Sequence, residues 1–61
     1  MSTSTELNTI TSTLSEISQR ITTLVETEGP AMEGDVYTEL VAAERAIGTL
    51  LRRLQRVARR V

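Results

Sequence analysis

The side chains of this 61-residue chain that could take part in chemistry are carboxylates, arginines and hydroxyls. The sequence contains no His, no Cys and no Lys, so it lacks the common general bases, thiol nucleophiles and Schiff-base formers. A di-metal site in a helical bundle uses Glu-x-x-His pairs, and disulfides or metal sites that stabilise short chains need Cys or His. We therefore expect a non-enzymatic protein without a cofactor or a metal.

The charged residues are separated along the sequence. Residues 1–44 contain all eight acids and one arginine, whereas the remainder contains arginines and no acid. Five acids surround the middle of the chain: Glu26, Glu28, Glu33, Asp35 and Glu39. The six arginines near the C-terminus are candidate contacts for an acidic protein partner or for phosphates: Arg45, Arg52, Arg53, Arg56, Arg59 and Arg60.

Two interpretations of these arginines remain open. Arginines in the last turns of a helix complement its dipole, and their aliphatic stems cover apolar side chains. In a dimer of antiparallel hairpins they would also lie beside the acids of the other copy. Alternatively, an outward stripe on one helix face contacts phosphates or an acidic protein through Arg45, Arg52, Arg56 and Arg59. The chain has a single aromatic residue, Tyr37, so stacking of bases on aromatic rings is not expected.

Two ladders of aliphatic residues at helical spacing flank a Gly-Pro pair. The first ladder consists of Leu7, Ile10, Leu14, Ile17, Ile21 and Leu24. The second consists of Val36, Leu40, Ala43, Ile47, Leu50, Leu54, Val57 and Val61. Alternating steps of three and four are typical of helices with a coiled-coil seam. The sequence therefore predicts an all-α fold, an antiparallel helical hairpin that forms one domain over residues 1–61. Helix one is expected at about 4–27, the turn at about 28–34 and helix two at about 35–61.

In heptad notation the first ladder alternates a and d positions, starting with Leu7 at a and Ile10 at d. Leucine at a with isoleucine at d favours more than two strands. Thr3 and Glu6 have the spacing of a capping box at the start of this helix. Many Ser and Thr residues lie between the ladder positions, and these are poor helix formers. We expect helix one to be helical only when it is packed.

The connection between the helices contains two strong helix breakers. Gly29 suits the left-handed residue that follows a helix, and Pro30 cannot continue one. Helix two can then begin with Pro30 as its first residue, or with Asp35 as its N-cap. The second alternative is favoured.

Helix two has a broader apolar stripe than one neighbour requires, because Tyr37, Leu51 and Ala58 occupy e positions and Ala46 a g position. We expect it to face helix one of its own hairpin and a second copy, which gives a homodimeric four-helix bundle. The candidate self-association residues lie along this stripe: Tyr37, Leu40, Ile47, Leu50, Leu51, Leu54 and Val57. The arrangement resembles the helical-hairpin dimers of small plasmid-regulatory and adaptor proteins, a likeness of architecture that carries no function.

The length of the chain also favours association, because a domain of this size buries only about 60% of the surface that its unfolded chain exposes. No apolar run reaches the roughly 20 residues that cross a bilayer, and the first residues lack the features of a signal peptide. We expect a soluble, cytoplasmic protein that acts as a non-enzymatic interaction and oligomerisation module. A nucleic-acid-binding accessory or regulatory protein that uses the arginine stripe is the alternative, and a membrane-surface or scaffold adaptor is a third.

Overall fold

A computed structural model describes residues 2–61, and these residues form two long helices. Helix α1 spans Thr3–Glu28 and helix α2 spans Gly34–Ala58, with a short 3-10 turn at Gly29–Ala31 between them. A helix of 26 residues is about 39 Å long, and the longest dimension of the molecule is 43 Å. The two helices must therefore lie side by side and antiparallel. The predicted all-helical fold is confirmed.

The cap of α1 lies one residue earlier than the expected capping box. The N-cap is Ser2, whose side-chain oxygen accepts a hydrogen bond from the backbone N–H of Thr5 at 3.1 Å. Its hydroxyl also donates to the Thr5 hydroxyl at 2.8 Å. Serine and threonine are both good N-caps, so the sequence offered two adjacent caps, and the earlier one gives the longer helix.

The connection between the helices matches neither of the two expected starts of helix two, with Pro30 as its first residue or with Asp35 as its N-cap. Gly29 has a φ of −50° and is not left-handed, and Pro30 lies in the first positions of the 3-10 turn. The N-cap of α2 is Glu33 and makes no side-chain capping bond, while Asp35 lies within the first turn of the helix. An acid in the first turn interacts favourably with the helix dipole without capping it. The prediction of Asp35 as the N-cap is therefore wrong.

The two helices pack through their a and e positions. In α1 the half-buried residues on this side are Ser4, Leu7, Thr11, Leu14, Ser18, Ile21 and Val25. In α2 the half-buried residues at these positions are Leu40, Glu44, Ile47, Leu51, Leu54 and Ala58. The expectation that α1 packs through its a and d positions is wrong, because its d positions lie outside the contact. The physical reason is geometric, because one neighbouring helix cannot cover three adjacent stripes.

Hydroxyl side chains in both helices find partners that leave the helical backbone intact. The hydroxyls of Thr9, Thr27 and Thr38 each donate to the carbonyl four residues earlier, at 2.6 to 3.2 Å. The Thr22 hydroxyl instead donates to the carboxylate of Glu44 on the opposite helix. This hydrogen bond is a polar contact within an otherwise largely aliphatic seam, and it links the two helices near the middle of the hairpin.

Gly48 lies in the middle of α2 without a structural need for glycine. A methyl group built there would meet only the guanidinium of Arg52, at an ordinary distance of 3.8 Å. Glycine in a helix costs about 1 kcal/mol relative to alanine. We therefore expect Gly48→Ala to raise the free energy of unfolding by about 1 kcal/mol per chain. Thermal and urea melts followed by circular dichroism measure this change, and a lower stability of the variant would show that another helix approaches α2 at Gly48.

Candidate self-association face

A row of large aliphatic side chains remains exposed along each helix. In α1 these are the d positions Ile10, Ile17 and Leu24, which are 38 to 43% exposed. In α2 the d positions Val36, Leu50 and Val57 are 44 to 48% exposed. The fourth d position of α2 is the small, half-buried Ala43. Each helix therefore keeps a stripe with a seven-residue repeat that its partner in the hairpin does not cover.

The two stripes lie on the same side of the hairpin. On a helical wheel the d positions lie about 80° to one side of the a/e seam. Antiparallel helices turn in opposite senses when viewed from one end, so this displacement carries both d stripes to the same face. We call it the apolar face, and it consists of Ile10, Ile17, Leu24, Val36, Ala43, Leu50 and Val57. On the opposite face, Val41 is the only large aliphatic side chain at the corresponding b positions among residues 2–61.

The hairpin does not form a closed core on its own. Among residues 2–61 no side chain, apolar or polar, is buried. The accessible surface is 4725 Å², whereas a compact folded monomer of 6.7 kDa exposes about 3,900 Å². The excess is roughly 800 Å², which is the area that each partner buries in a standard protein–protein interface. The apolar face is thus the feature of the molecule that most needs a partner.

The predicted self-association residues divide between two surfaces. Four of them are half-buried positions of the a/e seam within the hairpin: Leu40, Ile47, Leu51 and Leu54. The other three, Tyr37, Leu50 and Val57, are exposed. The residues of the apolar face that sequence reasoning left out are the d positions of α1, Val36 and Ala43. Their signal was present in the sequence, because every d position repeats at seven residues in both helices.

Tyr37 packs against the connection between the helices. A methyl group at Gly29 would lie 3.1 Å from Cε2 of the Tyr37 ring, so a side chain there would require the ring to shift by a few tenths of an ångström. The ring also contributes to an open groove with Val25, Pro30 and Met32. Tyr37 therefore closes the turn end of the hairpin and retains an exposed fraction of 44%.

The six candidate arginines are all exposed and differ in the direction they face. Arg53 and Arg60 occupy g positions and border the apolar face beside Leu50 and Val57. Arg45, Arg52 and Arg59 occupy f positions on the outer side of α2, and Arg56 lies between the two sets. Arg53, Arg56 and Arg60 line a shallow groove with Val57. The proposed outward stripe and the border of the apolar face therefore use different arginines.

Other kinds of site are not indicated in the part of the chain that the structure describes. Within residues 2–61 no group of three or more His, Cys, Asp or Glu side chains is placed to hold a metal ion. Neither of the described helices is long and apolar enough to cross a membrane. Comparison with protein-family models, with curated proteins and with solved structures finds no match for this chain.

Proposed function

We propose that this chain is a non-enzymatic self-association module of the cytoplasm, a homodimer in which two apolar faces pack together as a four-helix bundle. The observation that carries the proposal is the apolar face, an uncovered aliphatic surface on a hairpin that buries no side chain among residues 2–61. Burial of apolar surface supplies the main favourable free energy of association. Closing the face would also bury the seam that the hairpin leaves half-exposed.

A second copy is the occupant that best fits the surface. Each stripe repeats at seven residues, from Ile10 to Leu24 over the middle of α1 and from Val36 to Val57 over nearly the full length of α2. Only a partner with long helices and the same repeat would cover such a surface from end to end, and the chain itself meets this requirement. A twofold dimer is also the commonest closed assembly of soluble chains. A compact dimer with twice the 6.7 kDa of one chain would expose about 6,500 Å², so two hairpins of 4725 Å² each would bury roughly 1,500 Å² per copy, which is more than a standard interface requires.

Association is expected to be linked to folding. Helix α1 is rich in Ser and Thr and has low intrinsic helix propensity, so its structure depends on packing. The melting temperature of a dimer that unfolds to separate chains rises with protein concentration. Raising the concentration about a hundredfold should raise the melting temperature by roughly 10 °C. Circular dichroism melts over a dilution series measure this shift, and a melting temperature independent of concentration would contradict the proposal.

A nucleic-acid-binding accessory protein is the second candidate, and the observation that favours it is the group of exposed arginines at the end of α2. Phosphate binding weakens steeply with salt, so a gel-shift salt series with random DNA and RNA tests this candidate. The triple change of Arg52, Arg56 and Arg59 to Gln should remove such binding and leave the dimer's melting temperature nearly unchanged, because exposed charges contribute about 0 to 1 kcal/mol. Without a gel shift at low salt, this candidate is discarded.

A further inference from the structure

We infer that the two copies pack antiparallel, with the turn of each hairpin beside the open end of the other, an inference that rests on the proposed self-association. In this arrangement the twofold axis crosses the apolar face at its middle. Near the axis, Ile17 lies close to Ile17 of the second copy. The middle of α2, at Ala46 and Ile47, likewise lies close to the same segment of the second copy. The alternative dimer has its axis along the bundle and places both turns at one end.

The positions of the stripes favour one antiparallel register, in which both stripes overlap their copies over their full lengths. The stripe on α1 is centred at Ile17 and the stripe on α2 between Ala46 and Ile47. Each centre lies about three turns of helix from the connection, so the two centres are at nearly the same level. A single twofold axis can therefore place the stripe on α1 against the α1 stripe of the second copy and, at the same time, the stripe on α2 against the α2 stripe of the second copy. In this register Val36 faces Val57 of the second copy, and Ala43 faces Leu50.

Charge decides between the two arrangements. Five acids lie around the turn, and six arginines lie between the middle of α2 and the open end of the hairpin. Two turns at one end would bring together ten acids, twice the five of one chain, and would place the arginines of both copies together at the other end. The antiparallel dimer instead sets opposite charges beside each other. Attraction between opposite charges and repulsion between like charges fix orientation in protein interfaces.

The dipole of α1 supports the same conclusion. A helix favours cations near its C-terminus, but the last turn of α1 contains no basic residue and carries Glu26 and Glu28 instead. These acids are unfavourable within the isolated hairpin. The antiparallel dimer brings the arginine-rich end of the second copy to the same end of the bundle as these acids, whereas the alternative dimer would place a second acidic turn there.

The border of the apolar face contains specific pairs in this register. The residue three positions after each d residue of α2 lies on the border, and three of these four residues are charged: Glu39 after Val36, Arg53 after Leu50 and Arg60 after Val57. Antiparallel packing places Glu39 within about one residue of the level of Arg53 of the second copy, on the same side of the bundle. The twofold axis repeats this pair. In the alternative dimer Arg53 faces the neutral Thr13 of the second copy.

Single-cysteine cross-linking tests the orientation, because the chain has no native Cys. Ala46→Cys lies near the proposed axis, whereas Val61→Cys lies at the open end. A short bismaleimide should link Ala46→Cys to its copy efficiently and should not link Val61→Cys. The opposite result, with Val61→Cys linked and Ala46→Cys unlinked, would overturn the orientation while leaving self-association intact. If neither variant is linked and both sediment as monomers, the proposed function fails instead.

Charge reversal gives an independent measurement of the same arrangement. Glu39→Arg and Arg53→Glu should each weaken dimerisation by about two- to thirtyfold, because each dimer contains two such exposed pairs. The double variant should recover most of the loss. Arg52→Glu is the matched control, since Arg52 is one residue away and faces outward, and its dissociation constant should change much less than that of Arg53→Glu. Equal effects of Arg52→Glu and Arg53→Glu, or no recovery in the double variant, would contradict the pairing.

Discussion

Leu50→Asp is expected to leave the chain monomeric at concentrations at which the unmodified chain is a dimer. Leu50 is 44% exposed in the hairpin and lies in the middle of the apolar face, so the variant places one carboxylate per copy in the proposed interface. A buried charge without a partner costs several kcal/mol. Dimerisation should weaken at least about a hundredfold, and sedimentation equilibrium measures the change.

Thr49→Asp is the matched control for this variant. Thr49 precedes Leu50 in the same helix and is also exposed, but it points away from the apolar face. The two variants add the same charge at nearly the same place in the sequence. Thr49→Asp should remain a dimer with nearly the same dissociation constant. If both variants dissociate equally, the effect would come from the negative charge or from helix propensity, and the apolar face would lose its assigned role.

Leu54→Ala is expected to lower the free energy of unfolding by about 2 to 5 kcal/mol and to weaken association at the same time. Leu54 belongs to the seam between α1 and α2 and is only half-buried in the hairpin. The full effect of a large-to-small substitution requires a buried side chain, which the closed bundle supplies. Urea melts at fixed protein concentration measure the change.

Val61→Ala provides the comparison for Leu54→Ala. Val61 continues the same heptad position but lies beyond the end of α2 and is 59% exposed. Its change to alanine should alter stability by less than about 0.5 kcal/mol. A loss at Leu54 no larger than the loss at Val61 would indicate that Leu54 stays solvent-accessible in solution, as in an isolated hairpin.

The sequence predicted the helices better than it predicted their contacts. The helical spacing of the apolar residues located α1 and α2, and the Gly-Pro pair located the break between them, because both are local signals. The ends were less well predicted: Ser2 and Thr3 are equivalent as caps, and the space beside Gly29 is filled by Tyr37, which lies on the next helix, eight residues further along the chain. Local patterns do not reveal such a contact, so Gly29 was assigned a left-handed conformation that it does not adopt.

The division of the apolar stripe between two neighbours also required the structure. The ladders contain a, d and e positions, and the sequence shows that this set is too broad for one contact. It does not show which two positions meet inside the hairpin. Thr11 and Ser18 look like solvent-facing residues but lie in the seam, whereas Ile10 and Ile17 look like core residues but remain exposed. Residues that were expected in the contact within the hairpin therefore belong to the proposed interface between copies. Residues that were expected to face solvent belong to the contact within the hairpin.

The central claim is that the apolar face is covered by a second copy, and sedimentation equilibrium of the unmodified chain at micromolar concentration tests it most directly. The claim predicts a dimer, with a mass twice the 6.7 kDa of one chain, together with a helical circular dichroism spectrum at the same concentration. A fully helical monomer under these conditions would contradict it.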